Sequence, residues 1–252
     1  NALLALQHRR QESCGIAVNN DGVISYSKDM GLVTEAFSDA VLSRLEGQIA
    51  VGHVRYSTAG ASVRENAQPL VMRYIKGTLA IAHNGNLTNA LDIRRELECA
   101  GSIFQTTIDS EVIAYLIARE RVGAPSIEEA LRRAMRKIHG SYSLLVMSPQ
   151  KLVAARDPHG FRPLCIGTIG EGTYVFASET CALDACGAEF LRDVDPGEIV
   201  VIDKNGLRSI KPEKKERHSL CIFEYIYFAR TDSVIDGISV YLARREGGRS
   251  LP

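Results

Sequence analysis

The pattern of hydrophobic and polar positions changes repeatedly along the chain between helical and strand periods. Apolar residues recurring three and four positions apart predict helices mainly in the middle of the sequence. The last of them follows Pro125, with Ser126 and Glu129 in the spacing of a capping box. The predicted helices cover Asn1 to His8, Glu35 to Leu45, Asn89 to Cys99, Ser110 to Arg121 and Ile127 to His139.

Segments with strand character lie on both sides of the central helices. Many are joined by short polar turns such as Ser148-Pro149-Gln150, which favour antiparallel hairpins over crossover connections. This order predicts an α+β fold with two antiparallel sheets between helical layers, and fits a doubly wound parallel sheet less well. The predicted strands are Gly15 to Asn19, Gly22 to Lys28, Ile49 to Val54, Leu79 to His83, Ser143 to Ser148, Lys151 to Arg156, Leu164 to Thr168, Tyr174 to Ser178 and Glu198 to Asp203.

Composition and charge favour a small-molecule partner. The 252 residues are 45% hydrophobic, enough to bury a core, and 30 Lys plus Arg balance 30 Asp plus Glu. No charge excess therefore argues for a nucleic acid or a membrane as a partner. The apolar runs are shorter than the roughly 20 residues of a membrane-spanning helix. The six cysteines are scattered without C-x-x-C pairs, which favours a reducing compartment and predicts a cytoplasmic protein.

The two ends and one basic stretch suggest a fragment with a domain boundary. The chain starts at Asn1 and ends in RREGGRSLP, so we expect a piece of a longer protein. Residues between Lys204 and His218 are strongly basic and include a proline, whereas the following segment is apolar and aromatic again. We therefore expect one domain over residues 1–218 and the truncated start of a second over residues 219–252.

The segment AIAHNGNLTNA indicates a strand, a sharp turn at Asn84-Gly85 and a capped helix. Amide donors at such a helix entry can stabilise a developing oxyanion. The alternative is that Asn84-Gly85 is only a tight turn, with Asn86 or Thr88 as an N-cap.

Two charged residues complete a possible amino-acid site. Arg55 lies at the end of an apolar strand and could hold a carboxylate with its guanidinium, although an arginine in such a place is usually a structural ion pair or a surface charge. Asp109 precedes an apolar-periodic helix and could receive an ammonium group, whereas its simplest reading is an N-cap. Together a cation, an anion and an oxyanion cradle meet the needs of a free α-amino acid attacked at its side-chain amide.

The chain resembles the glutamine phosphoribosylpyrophosphate amidotransferase family in a series of motifs over essentially its whole length. In order, the motifs are LLALQHRRQESCGIAV, VGHVRYSTAG, ENAQPL, AHNGNLTNA, TTIDSEVIAYLI, ARDPHGFRPL, FASETCALD and EYIYFARTDSVIDGISVYLAR. The resemblance implies the first committed step of purine synthesis, in which phosphoribosylamine is made from glutamine and phosphoribosyl pyrophosphate. It also implies a four-layer αββα sandwich of the N-terminal-nucleophile type, followed by a phosphoribosyltransferase-type α/β domain.

The resemblance assigns roles to residues whose motifs match. Arg55 corresponds to the arginine that binds the glutamine α-carboxylate, and Asp109 to the aspartate that receives the α-ammonium. Asn84 and Gly85 correspond to the oxyanion-hole pair, through a side-chain amide and a backbone N–H. The same comparison makes Arg9 a residue that helps to position the nucleophile, and places His53 and Thr58 on the pocket wall.

The nucleophile is the main departure from the family pattern. Family members use an N-terminal cysteine whose own α-amine is the general base. Position 1 here is asparagine, so we expect the nucleophile and its strand to lie upstream and the polypeptide as given to be inactive. Cys14 lies in QESCGI but lacks a free α-amine, which argues against it as a substitute.

The chain departs from the family pattern at two further positions, and the resemblance also implies cofactors. Arg10 stands where the family has glycine, and Thr231 where it has proline. Cys221 occupies a position at which some members place one ligand of a [4Fe–4S] cluster, which needs four thiolates. We expect no cluster in the fragment itself. We expect Mg²⁺ to bind in the missing phosphoribosyltransferase domain. The resemblance also implies a homo-oligomer, namely a tetramer.

Three rival interpretations remain open at this point. Glucosamine-6-phosphate synthase shares the glutaminase fold but tends to have a tryptophan after the arginine, where this chain has Tyr56 and no tryptophan anywhere. Asparagine synthetase fits less well for the same reasons. The third is a non-catalytic module that binds glutamine or serves as a scaffold, which the sequence upstream of Asn1 would distinguish.

Overall fold

The computed structural model describes residues 1–9, 11–56 and 60–251. Two layers of antiparallel sheet lie face to face, with helices on the outer face of each layer. The predicted α+β sandwich of four layers is therefore confirmed. The strands are β1 (Ser13–Asn20), β2 (Val23–Met30), β3 (Ile49–Arg55), β4 (Leu70–Tyr74), β5 (Gly77–Leu87), β6 (Gly140–Met147), β7 (Leu152–Arg156), β8 (Cys165–Ile169), β9 (Thr173–Ala177), β10 (Glu189–Asp193), β11 (Ile199–Asp203), β12 (Gly206–Ile210), β13 (Val234–Ile235) and β14 (Ile238–Ser239).

The helices are mostly short. Short 3₁₀ segments at Gln7–Arg9 and Arg64–Asn66 and a π-helical turn at Glu224–Phe228 complete the regular structure. The α-helices are α1 (Ala2–Leu6), α2 (Val33–Ala36), α3 (Asp39–Leu42), α4 (Ala90–Cys99), α5 (Asp109–Gly123), α6 (Ile127–Met135), α7 (Thr180–Asp184) and α8 (Val240–Arg249). Of these, α4, α5 and α6 cover one sheet.

A six-stranded sheet in the order β12-β11-β7-β6-β5-β4 forms the first layer, and α4, α5 and α6 pack on its outer face. Ile113 and Leu131 from these helices join Ile81 and Leu144 from the sheet in one buried cluster. Burial of each such side chain contributes about 1.5–3 kcal/mol to folding. Helix α6 starts as expected, because the Ser126 hydroxyl accepts a hydrogen bond from the Glu129 N–H at 3.3 Å.

Two three-stranded sheets, β2-β1-β3 and β10-β8-β9, form the second layer. Val51 of β3 and Phe176 of β9 pack against the inner face of the six-stranded sheet in a shared cluster. On the outer side, Ala5 of α1 and Leu183 of α7 cover β8 and β9. Among the described residues, β3 and β9 each pair with one strand only, so each has an open edge on the side where the candidate site lies.

Several predicted elements differ in the structure. The helix expected over Glu35 to Leu45 is two short helices, because the backbone at Ser38 is extended and interrupts the helical turn. The helix expected to reach His139 ends at Met135. The largest difference is β5, which continues through the expected Asn84-Gly85 turn as far as Leu87.

Residues 219–251 pack against the sandwich through buried charges. Arg156, fully buried, donates from both terminal nitrogens to the Asp236 carboxylate at 2.8 Å. Glu179 accepts hydrogen bonds from the Arg230 N–H and the Ser233 hydroxyl, each at 2.8 Å. Breaking a buried pair of this kind by removing one partner costs about 3–5 kcal/mol. Within the described ranges, no helix is both long and apolar enough to cross a membrane.

Candidate glutamine-binding site

A cleft of about 400 Å³ opens between the end of β3, the residue that follows β9 and the C-terminal half of β5. Six residues that the sequence singles out line this cleft together. They are Arg9, His53, Arg55, Asn84, Gly85 and Asp109. Thr58, the remaining candidate for the pocket wall, lies outside the described residues, as does Arg10.

Asn84 and Gly85 lie in a strand rather than in a turn. Asn84 is opposite Ser143 and Gly85 is opposite Tyr142 in the β5–β6 ladder. A side chain at Gly85 is excluded, because a Cβ atom there would lie 2.0 Å from the Ser141 carbonyl oxygen and φ is +153°. The predicted turn was therefore wrong, and the glycine is required by the close approach of β6.

The free edge of β5 directs the Gly85 N–H into the cleft. Pairing between β4 and β5 ends at Leu70 and Ile81. Beyond that point the His83 N–H donates to the Gln68 side-chain oxygen at 2.7 Å, and the Leu87 N–H donates to Asp109 Oδ2 at 3.0 Å. Alternate N–H groups of a strand point to the same side. The Gly85 N–H therefore lies between these two on the edge that faces the cleft.

Asp109 is a buried carboxylate and not an N-cap. The residue before α5 is Ile108, and Asp109 is already in the first helical turn. Burial would raise the pKa of Asp109, but the nearby His83 ring, 3.5 Å from Oδ1, and the Leu87 N–H lower it overall. Asp109 is therefore ionised at neutral pH and supplies a negative charge at one end of the cleft.

Arg55 supplies the positive charge at the cleft. It is the last residue of β3 and is only 4% exposed, and its Nη1 donates to the Ala61 carbonyl at 3.3 Å. Burial lowers the pKa of Arg55, and Glu12 and Asp109 act in the opposite direction. An arginine remains charged under these conditions. The cleft thus carries both charges that complement an amino-acid zwitterion.

His53 contributes a neutral imidazole to the cleft wall. Its Nε2 lies 3.0 Å from the His83 carbonyl oxygen and donates to it, because a carbonyl can only accept. Burial, followed by the His83 neighbour, lowers the pKa of His53 to about 4. The ring is therefore uncharged at neutral pH and is not a proton carrier there.

The lowered pKa of His53 predicts a specific pH dependence of stability. Between about pH 6.5 and about pH 4 the unfolded chain binds a proton at this residue and the folded chain does not. Unfolding free energy should therefore fall with decreasing pH in this window, by up to about 1.4 kcal/mol per pH unit. Urea unfolding of His53→Gln should show a weaker loss than wild type between about pH 7 and about pH 5. The exposed His139, replaced by glutamine, is the control, and equal pH dependence in all three proteins would contradict this assignment.

Arg9 lines the cleft and is held by two carboxylates, and its role beside the nucleophile stays a prediction. Its guanidinium contacts Glu179 and donates to both oxygens of Glu224, at 2.8 and 3.1 Å. Burial would lower the pKa of Arg9, but the two carboxylates raise it overall. The sequence motifs containing these two glutamates were recognised, but neither glutamate was singled out. Arg9 therefore connects the start of the chain to the segment after residue 218.

Cys14 does not lie in the cleft. Its side chain is fully buried beside Val33 and Phe37, and no cysteine is among the cleft-lining residues that the structure describes. Burial, with the Asp29 charge as a smaller cause, raises the pKa of the Cys14 thiol to about 11. A nucleophilic cysteine needs access and a thiolate, so this geometry argues against Cys14.

Cys221 is not part of a cluster of metal-ligating side chains in the described residues. In the described part of the chain, no group of three or more His, Cys, Asp or Glu side chains converges as a metal site. A [4Fe–4S] cluster needs four thiolates. The described residues alone therefore do not fit a cluster, and the assignment of Cys221 stays a prediction.

Comparisons with known proteins show the family to which the chain belongs. Residues 53–185 match a family model described as a glutamine amidotransferase domain. The chain is 49% identical over 250 residues to an amidophosphoribosyltransferase of Archaeoglobus fulgidus, covering 99% of this chain and 54% of the relative. It is 45% identical over 250 residues to that of Bacillus subtilis, covering 99% of this chain and 52% of the relative.

A solved structure shows the same fold. The glutamine phosphoribosylpyrophosphate amidotransferase from Bacillus subtilis, complexed with ADP and GMP, superposes with a TM-score of 0.92 at 44% identity, covering 98% of this chain and 53% of that one. The chain thus spans about half the length of the relatives it matches. The chain belongs to the glutamine amidotransferase domain family, and its relatives within that family are amidophosphoribosyltransferases.

Proposed function

We propose that this chain is the glutamine-hydrolysing part of an amidophosphoribosyltransferase of purine biosynthesis. Glutamine would be cleaved to glutamate and ammonia, and the ammonia passed to phosphoribosyl pyrophosphate to form 5-phosphoribosylamine. The observation that carries the proposal is the convergence of Arg55, Asp109 and the Asn84-Gly85 pair on one cleft. The names of the relatives support phosphoribosyl pyrophosphate as the second substrate. None of the described residues is proposed here to bind it.

The proposed binding mode places each end of glutamine against a complementary group. The α-carboxylate lies against the Arg55 guanidinium, and the α-ammonium lies against Asp109. The side-chain amide then points towards Asn84 and Gly85, whose N–H groups stabilise the oxyanion of the tetrahedral intermediate. The preorganised strand β5 holds the Gly85 donor in place without a conformational change.

The proposed nucleophile is a terminal cysteine that precedes Asn1 in the full-length protein. Its thiolate would attack the amide carbon after the α-amine takes the thiol proton, and ammonia would leave with that proton, forming a γ-glutamyl thioester. Water would then hydrolyse the thioester to release glutamate and restore the thiol. The open edges of β3 and β9 support this proposal, because both border the cleft and their side chains Val51 and Phe176 already share one cluster. A strand at those edges would deliver its first residue to the cleft.

Glutamate release by the full-length protein tests this assignment. Replacing the terminal cysteine by serine should abolish release, whereas Cys14→Ser should leave it nearly unchanged, because Cys14 is sealed in the core. The polypeptide of residues 1–252 alone should release no glutamate. Turnover that survives loss of the terminal cysteine and disappears with Cys14→Ser would make Cys14 the nucleophile. A full-length protein with neither a terminal cysteine nor turnover would favour a glutamine-binding scaffold.

The domain division is part of the same proposal. Residues 1–218 would form the glutaminase domain without its first strand, and residues 219–252 would begin a phosphoribosyltransferase domain. Support comes from apolar side chains that the second segment leaves exposed, such as Ile222, Ile226 and Tyr241. Contiguous exposed apolar surface marks a contact site, and we assign it to the remainder of that domain, which would also hold Mg²⁺.

The remaining features of the proposal concern assembly and location. All six cysteines are free thiols, which supports a reducing, cytoplasmic environment. The homo-tetramer implied by the resemblance is proposed for the full-length protein. The relatives' names favour an amidophosphoribosyltransferase over a glucosamine-6-phosphate synthase.

A further inference from the structure

One contact fixes which end of the Asn84 amide faces glutamine. Arg162 Nη2 lies 3.3 Å from Asn84 Oδ1 and donates to it. A guanidinium has donors only, so the amide atom facing it must be the oxygen and not the nitrogen. The Asn84 Nδ2 group, which is the donor an oxyanion needs, is thereby turned away from Arg162.

We propose that Arg162 is a positioning residue that sets the orientation of the Asn84 amide, and that Glu224 holds Arg162 in place to do so. This inference rests on the proposed function, because the proposed function assigns the Asn84 amide as a hydrogen-bond donor to the oxyanion. Rotation of the amide by half a turn would present oxygen to the oxyanion and replace an attraction with a repulsion. Arg162 penalises that rotation because it cannot accept a hydrogen bond from Nδ2.

The main chain of Arg162 is fixed by the sandwich. Its carbonyl accepts a hydrogen bond from Arg156 Nε at 2.8 Å and another from the Ser143 hydroxyl at 3.2 Å. Its N–H donates to Asp157 at 3.4 Å. Ser143 is itself the strand partner of Asn84. The main chain of Arg162 is therefore hydrogen-bonded to the same part of the sheet that carries Asn84.

The side chain of Arg162 is fixed from the other side by the segment after residue 218. Its Nη1 lies 3.2 Å from Glu224 Oε1, and its guanidinium carbon lies 5.3 Å from the centre of the Phe228 ring. Glu224 is fully buried and also binds Arg9. The same Glu224 oxygen, Oε1, contacts Arg9 Nη2 at 2.8 Å and Arg162 Nη1 at 3.2 Å, so Glu224 and the two arginines form one unit.

This arrangement links the second segment to the chemistry of the cleft. Glu224 and Phe228 both belong to the π-helical turn, and Phe228 lines the cleft as well. A shift of that turn would release or tighten Arg162 and, through it, the Asn84 amide. A role limited to structural ion pairing would instead lower stability and leave the oxyanion donor unaffected.

The test uses steady-state glutamine hydrolysis by the full-length protein and a double-variant comparison. Arg162→Met should lower kcat about tenfold to a hundredfold, with the glutamine KM changed much less. The same substitution in an Asn84→Ala background should lower kcat little further, because the group that Arg162 positions is already gone. Glu224→Gln should show a smaller loss of the same kind.

Matched controls separate positioning from general ion pairing. Arg192 donates to the buried Glu198 at 2.8 and 2.9 Å, outside the cleft. Arg192→Met and Glu198→Gln should therefore reduce thermal stability and leave kcat close to wild type. If Arg162→Met does not fold, Arg162→Lys keeps the charge near Glu224 but lacks the planar fork that reaches both partners, and should show the same loss of kcat.

The outcomes distinguish this inference from the proposed function. If Asn84→Ala lowers kcat and the folded Arg162 variant does not, or if the two losses simply multiply in the double variant, the positioning role is overturned and the proposed function stands. If Asn84→Ala itself leaves kcat unchanged, the oxyanion role fails and the inference fails with it.

Discussion

Replacing Asn84 by alanine is expected to lower kcat for glutamine hydrolysis by about a hundredfold to a thousandfold in the full-length protein, with little change in KM. The reason is that the Asn84 amide meets the substrate oxygen most strongly once that oxygen carries negative charge. Loss of one such donor raises the activation free energy by about 2.7–4 kcal/mol. Steady-state kinetics with glutamine as the varied substrate measures both constants.

Asn89→Ala is the matched control for this substitution. Asn89 lies five positions further along the same segment, and its side chain donates to the Lys137 carbonyl at 2.9 Å and accepts from the His139 N–H at 2.9 Å. Its loss should cost stability and leave kcat close to wild type. An Asn84→Ala protein with normal kcat and a raised KM would show that Asn84 binds the ground state and is not an oxyanion donor.

Replacing Arg55 by alanine is expected to raise the glutamine KM by about tenfold to a hundredfold. Arg55 is buried at the cleft, and a hydrogen bond to a charged group in such a place contributes about 1.5–3 kcal/mol. Synthesis of phosphoribosylamine with free ammonia should continue, because ammonia needs no zwitterion site. That second activity also reports that the variant is folded.

Arg55 gives a cleaner test of binding than Asp109. The Asp109 carboxylate also accepts a hydrogen bond from the Leu87 N–H, so its replacement would disturb the end of β5 and the oxyanion donors with it. Arg192→Ala, at an ion pair outside the cleft, is the control for loss of a guanidinium. Unchanged glutamine kinetics in Arg55→Ala would refute the carboxylate assignment.

The layered fold could be predicted because its signals are local. Short polar turns between apolar alternating segments are sufficient to predict antiparallel pairing, and the β6–β7 hairpin forms around Ser148-Pro149-Gln150 as expected. Strands β4, β10, β12, β13 and β14 are absent from the prediction. Strand β12 lies at the edge of its sheet and has no buried residue, and its sequence belongs to the basic stretch between Lys204 and His218. Edge strands are not buried on both sides, so they lack the hydrophobic sequence pattern that identifies central strands.

Local turn chemistry misled the prediction at Asn84-Gly85. The dipeptide is the strongest short-range hairpin signal, yet here the strand continues. The glycine is needed because β6 approaches closely, and the neighbouring N–H groups are satisfied by Gln68 and Asp109. Those partners are distant in sequence, so tertiary contacts override the local preference.

The chemistry of the site was predictable in part. Arg55, Asp109 and the Asn84-Gly85 pair were found from residue type, context and resemblance, and the structure places them on one cleft. Arg162 and Glu224 were not singled out, because their importance depends on contacts across 78 positions to Asn84 and 215 positions to Arg9. No periodicity or spacing in a single sequence encodes such pairs.

The most direct measurement of the central claim is a crystal structure of the full-length protein, with its terminal cysteine replaced by serine, bound to glutamine. The account predicts the α-carboxylate at the Arg55 guanidinium, the α-ammonium at Asp109 and the side-chain amide oxygen within hydrogen-bonding distance of Asn84 Nδ2 and the Gly85 N–H. Glutamine bound outside this cleft, or bound in it with its amide directed away from Asn84 and Gly85, would contradict the account.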